Sequence, residues 1–103
     1  MLKSSNKKIT IEEIQKKVAE HYNIRITDMH SPRRSRSVAR PRQIAMFLAK
    51  KMTTRSLPEI GRRFANRDHT TVIHAVKTIT RLSEQDDEMK KSIDQIRSLL
   101  LEQ

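Results

Sequence analysis

From Ile9 onward, apolar positions recur at helical spacing. Ile11, Ile14, Val18 and Tyr22 fall on one helical face. Thr10 and Glu13 in front of them read as a capping box, with Ile9 and Ile14 placed for a hydrophobic staple. Asn23 suits the stop. Ile24 and Ile26 lead into Thr27-Asp28, which are expected to cap a short helical turn around Met29. Ser31 to Ser37 (SPRRSRS) contains no apolar residue and reads as a loop. The next helix is expected to start between Ser37 and Pro41, because proline is tolerated in a helix's first turn. It runs to about Met52 with Ile44, Phe47, Leu48 and Met52 on one face, leaving Arg40, Arg42, Gln43, Lys50 and Lys51 on others.

Ser56 opens a further helix, with Glu59 completing a second capping box and Pro58 in the first turn. Leu57, Ile60 and Phe64 give it an apolar face, and it ends near Ala65-Asn66. Asp68 is placed to cap the helix after it, which carries Val72, Ile73, Val76, Ile79 and Leu82 inward. A last helix is expected from about Ser83 or Asp86. Its acids Asp86, Asp87 and Glu88 suit the positive end of the helix dipole, and Met89, Ile93, Ile96 and Leu100 form its packing stripe. The pattern predicts an all-α domain of five to six helices. Within it, a short helix (57–64), a tight turn (65–67) and a longer helix (68–82) make a helix-turn-helix over about 56–82.

Length and composition agree with this. The 103 residues allow one small domain, read as 9–103 behind a polar lead-in at 1–8. One glycine and three prolines leave few tight turns and argue against an all-β fold. The absence of cysteine excludes a disulfide framework, a thiolate metal site and a thiol nucleophile. No apolar run approaches the roughly 18 residues of a membrane span, so a soluble, cytoplasmic protein is expected.

Charge sharpens the picture. Residues 33–81 hold thirteen basic and two acidic groups, or +11 of the chain's +10 total, while residues 82–103 are net −3 and residues 1–32 net +2. No acid occurs between Asp28 and Glu59. So one-sided a field suits a polyanion bound by the middle of the fold, although a solvated basic face would look the same in composition.

In a helix-turn-helix, the start of the second helix points into the major groove. Here it reads Arg67-Asp68-His69-Thr70-Thr71. Arg can donate twice to guanine, Asp can accept from cytosine N4, His can do either, and Thr offers a methyl and a hydroxyl. Asp68 and Thr70 as plain caps would explain the same spacing. The loop Arg33-Arg34-Ser35-Arg36 can act as an arm entering a narrow A·T-rich minor groove, or clamp phosphates without base preference. Arg40, Arg42, Gln43, Lys50 and Lys51 suit backbone contacts. Ser31 and Ser35 suit phosphates, whereas Ser37 and Ser56 are explained equally well as caps.

Catalysis finds no support. No carboxylate pair sits in an apolar setting, His69 and His74 are misaligned for metal ligation on one helix face, and the lone Gly61 cannot form a phosphate loop. Tyr22, Phe47 and Phe64 all fall at core-type positions, which argues against a base-stacking platform for single strands or RNA.

The run Asn66-Arg67-Asp68-His69-Thr70-Thr71-Val72-Ile73-His74-Ala75 resembles the C-terminal DNA-binding domain of the DnaA family of bacterial chromosomal replication initiators, whose signature there is Gly-Gly-Arg-Asp-His-Thr-Thr-Val. Arg33 to Gln43 is similar to that family's basic loop and following helix, and Ser56 to Gly61 to the first helix of its helix-turn-helix. The resemblance spans about residues 9–101. One departure stands out: Ala65-Asn66 replaces the family's Gly-Gly, and asparagine tolerates a left-handed turn better than alanine does.

The resemblance implies binding of double-stranded DnaA boxes, A·T-rich sites of about nine base pairs at the replication origin. By matching position, Asp68, His69 and Thr70 would read bases in the major groove, supported by Arg67 and Thr71, while Arg34 would enter the minor groove. Arg42, Gln43, Lys50, Leu57 and Pro58 would hold the DNA backbone or adjacent bases, Leu57 and Pro58 through main-chain groups at a helix N-terminus. The family's ATPase domain and P-loop have no counterpart in these residues, so no cofactor is expected for this chain and ATP with magnesium only for that domain. The resemblance further implies self-assembly of full-length members on DNA and a nucleoid location. A monomeric isolated domain is expected.

Three other readings compete. A stand-alone repressor could occupy the same boxes. An architectural binder would show equal affinity for any duplex. Contact with acidic phospholipid near the N-terminus is a further role, although Glu12, Glu13 and Glu20 beside Lys16 and Lys17 make that helix's polar face mixed.

Overall fold

The computed structural model describes residues 8–32 and 36–102, and within them the secondary structure is wholly helical. The helices are α1 (Ile11–His21), α2 (Ile26–Met29), α3 (Arg36–Met52), α4 (Leu57–Arg62), α5 (His69–Gln85) and α6 (Asp87–Glu102). The lead-in 1–7 and the loop residues Arg33, Arg34 and Ser35 lie outside the described residues.

α3 is the central element. It packs chiefly on α5 and on α1, α4 packs on α5, and α6 closes the bundle against α1 and α5. One core joins all six helices: Ile14 and Val18 of α1, Met29 of α2, Ile44 and Leu48 of α3, Ile60 of α4, Val72 and Ile79 of α5, and Ile96 and Leu100 of α6 are at most 1% exposed. Phe64, the largest fully buried side chain, lies just beyond α4 and pins that helix's end to the core. Burying it fully contributes about 2–3 kcal/mol.

The local signals explain the boundaries. Thr10 and Glu13 form the full capping box: the Glu13 N–H donates to Thr10 Oγ1 at 3.1 Å and the Thr10 N–H to Glu13 Oε1 at 3.0 Å. Asn23 ends α1 in the left-handed region, φ 58°. Asp86 Oδ1 accepts the N–H groups of Glu88 and Met89, starting α6 one residue after α5 stops.

Five expectations are corrected. α2 begins at Ile26 rather than after a Thr27-Asp28 cap, because Asp28 reaches back to take the Arg25 N–H at 3.0 Å. α3 is already helical at Arg36, so Pro41 lies past the first turn; it forfeits one intrahelical bond, to Ser37, and its ring is buried. The second capping box is only half formed. Ser56 Oγ accepts the Glu59 N–H at 3.3 Å, but the Glu59 carboxylate is engaged by Arg55 at 3.1 Å. Ile73 is half-buried and lies outside the core cluster; Ala75 takes the inward place. Arg42 does not face outward: it is 4% exposed.

Candidate nucleic-acid interface

The turn between α4 and α5 is built on Gly61. Its carbonyl accepts the N–H groups of Phe64 at 3.1 Å and of Arg67 at 2.8 Å. A Cβ at residue 61 would overlap the Arg67 carbonyl oxygen. The lone glycine therefore lets the two helices meet backbone to backbone. The chain reverses through Ala65 (φ 65°) and Asn66 (φ 55°), both left-handed. Where the family signature has two glycines, this chain adopts the glycine conformation with two other residues. Asparagine does so at modest cost, and alanine at about 1–2 kcal/mol.

This turn delivers the first turn of α5 to the surface. Asp68 is the N-cap, with extended backbone, and Asp68, His69, Thr70 and Thr71 are all exposed; the first buried position is Val72. Asp68 Oδ1 lies 3.1 Å from His69 Nδ1. The Asp68 carboxylate makes no capping hydrogen bond of ordinary geometry. The backbone N–H of Thr70, followed by its hydroxyl, nevertheless holds the carboxyl below its usual pKa. Asp68 is thus a persistent anion beside an imidazole, at the head of a helix whose dipole favours negative charge.

Arg67 differs from its neighbours. It is half-buried, and its Nη2 donates to the Ser31 carbonyl at 3.1 Å. Its Nε is buried without a partner. The guanidinium therefore lies along the segment that enters the basic loop and does not extend ahead of α5. Arg42 lies behind it. The Arg42 Nε donates to the Asp28 carbonyl at 2.9 Å, and burial, then the charge of Arg67, lowers its pKa. Its visible role is to hold α2 on α3, which no periodicity argument could reveal, since an arginine on a helix face is usually solvated.

The other expected contact residues divide clearly. Lys50 and Pro58 are exposed, while Gln43 and Leu57 are half-buried. The amide oxygen of Gln43 is taken by Arg40 Nη1 at 2.7 Å. Leu57 and Pro58 open α4 behind the Ser56 cap; Pro58 has no N–H, so of the pair only Leu57 has a main-chain donor. Arg34 falls outside the described residues, as do Arg33 and Ser35. Exposed Arg55, Arg62 and Arg63 around α4 extend the basic surface and were not singled out from sequence. Only their share of the +11 block could have flagged them.

Among the described residues, no helix is long and apolar enough to cross a membrane, and no three His, Asp or Glu side chains are grouped to hold a metal ion.

The family model for the bacterial dnaA protein helix-turn-helix matches residues 11–79, from the start of α1 into α5. The chain belongs to the bacterial DnaA helix-turn-helix family. It is similar to the chromosomal replication initiator protein DnaA of Gluconobacter oxydans, 60% identical over 100 residues, covering 97% of this chain and 21% of that protein. To its counterpart in Roseobacter denitrificans it is 59% identical over 102 residues, covering 99% of this chain and 22% of that protein. To the one in Wolbachia of Brugia malayi it is 58% identical over 99 residues, covering 96% and 22%. The chain spans about a fifth of the length of these DnaA relatives, and its residues make up the helix-turn-helix domain without an ATPase region.

Proposed function

We propose that this domain recognises double-stranded DnaA boxes at a replication origin and supplies the DNA-reading part of a chromosomal replication initiator. One observation carries the reading: the exposed turn Asp68-His69-Thr70-Thr71, set at a fixed angle by the Gly61–Arg67 contact, projects from the acid-poor middle of the fold. In this reading α5 enters the major groove. Asp68, His69 and Thr70 meet base edges, with Thr71 on a base or phosphate. Arg34 enters the adjacent minor groove, where A·T-rich sequence narrows the walls and deepens the negative potential. Lys50, Gln43 and the N-terminus of α4 hold the phosphate backbone and set the register. Arg67 braces the entry to α5 through the Ser31 carbonyl, and Arg42 acts through α2 by holding the Asp28 carbonyl ahead of the basic loop.

ATP binding, assembly on DNA and opening of the neighbouring duplex belong to the complete initiator. Its place is the nucleoid of a bacterial cell, and this domain alone is a monomer. Contact between acidic phospholipid and the N-terminal side of α1 is a secondary reading. It rests on the lysines there and is opposed by Glu12, Glu13 and Glu20 on the same helix.

Hydroxyl-radical footprinting on a duplex carrying one box tests the reading. Protection confined to one box-length stretch, with an extra minor-groove patch at its A·T-rich end, supports it. Even protection along the whole duplex contradicts it.

A further inference from the structure

Gln15 is buried to 2% exposure in α1, far along the chain from the helix-turn-helix, yet both ends of its amide are used. Its Nε2 donates to the Arg63 carbonyl at 2.9 Å, two residues before the left-handed Ala65. Its Oε1 lies 3.1 Å from His30 Nε2. An amide oxygen can only accept, so His30 donates from Nε2–H. The residue after His30 is Ser31, whose carbonyl takes Arg67 Nη2 at 3.1 Å. The path closes on itself. Gln15 holds the chain entering the α4–α5 turn, and the His30-Ser31 pair holds the residue leaving it.

The turn needs this support. Two consecutive non-glycine residues with positive φ persist only where surrounding contacts over-determine them. The buried amide supplies one such contact through the Arg63 carbonyl. Ser31 also stands where the chain departs into the basic loop, so the same relay links the loop's root to the head of the reading helix.

We infer that Gln15 and His30 are positioning residues for DNA recognition: their amide–imidazole relay sets the angle at which Asp68, His69 and Thr70 are presented and ties that angle to the root of the basic loop. The inference rests on the proposed reading of box DNA and adds two residues that touch no DNA. A site built on side chains needs a supporting shell that holds it to within about 0.5 Å, so loss of that shell is expected to lower discrimination.

The test uses the whole chain with Gln15→Met, which keeps volume and removes both hydrogen bonds, and His30→Ala. His30 is exposed, so its loss does not endanger folding. Binding is measured to a box duplex and to a shuffled duplex of equal composition, at a temperature where melting curves show each variant folded. The box-to-shuffled ratio is expected to fall about tenfold for Gln15→Met and about threefold for His30→Ala, with affinity for the shuffled duplex and its salt slope unchanged. A ratio unchanged in both variants, with only a lower melting temperature, overturns the inference and leaves Gln15 a core residue. If the wild-type chain itself shows no box preference, the proposed function has failed, and the relay is then judged on the free protein. Shifted backbone amide resonances of Asn66 and Arg67 in both variants uphold it, and unmoved ones overturn it.

Discussion

The carbonyl of Gly61 accepts the Arg67 N–H at 2.8 Å, across a gap in which no side chain fits. This contact fixes how α5 leaves α4. Gly61→Ala forces the Arg67 peptide away and is expected to cost about 3 kcal/mol, at the upper end for overpacking, because the obstacle is backbone. Urea denaturation of the variant checks this. A loss below about 0.5 kcal/mol would mean that the helices separate freely.

Ala65 stands in the left-handed region at φ 65°. Ala65→Gly removes a strain of about 1–2 kcal/mol and gives back about 0.4–1 kcal/mol through the looser unfolded chain. The net expectation is a gain of about 0.5–1 kcal/mol, seen as a higher melting temperature with unchanged box preference. Asn66→Ala should move stability the opposite way by a similar amount.

Much of this architecture can be read from residue order. Thr10 with Glu13, Ser56 and Asp86 mark helix starts through capping hydrogen bonds that survive into the fold because they join neighbours two or three residues apart, and Asp68 takes the N-cap position of α5 without such a bond. The exposed first turn of α5 is equally legible, since apolar positions resume only at Val72. What sequence conceals is tertiary. Arg42 and Gln15 are polar residues at positions that pattern assigns to solvent or leaves unremarked, and they are buried because distant carbonyls of Asp28 and Arg63 need donors. Arg67 lies along Ser31, 36 residues away in sequence, a pairing that no spacing rule contains.

Asp68 carries the pH prediction. Its carboxyl pKa is lowered in the folded state, chiefly by the Thr70 N–H. The resulting stabilisation is fully present above the ordinary carboxylate value and is lost as pH falls through the depressed folded value. Asp68→Asn keeps a good capping residue without the charge. The melting-temperature difference between wild type and variant should be constant near neutrality and should shrink as pH drops below about 4. Parallel curves down to about pH 2 would show that the charge of Asp68 does nothing for the helix.

Base readers and phosphate binders should fail differently. His69→Ala or Thr70→Ala is expected to relax discrimination at one or two base pairs, by about 1–3 kcal/mol each. Lys50→Ala should weaken every duplex alike and reduce the slope of log affinity against log salt by about 0.9. Titrations of each variant against single-base-pair box variants at several salt concentrations separate the two classes. Uniform weakening by His69→Ala would remove it from the reading surface.

Fluorescence anisotropy with two duplexes tests the central claim most directly. One carries a DnaA box, the other has the same composition shuffled, and both are titrated at about 150 mM salt. Box preference by a factor of about 10³ or more is the result expected of a specific origin reader. Equal affinity for both duplexes, lost steeply as salt rises, would contradict it and mark the domain as a general DNA clamp.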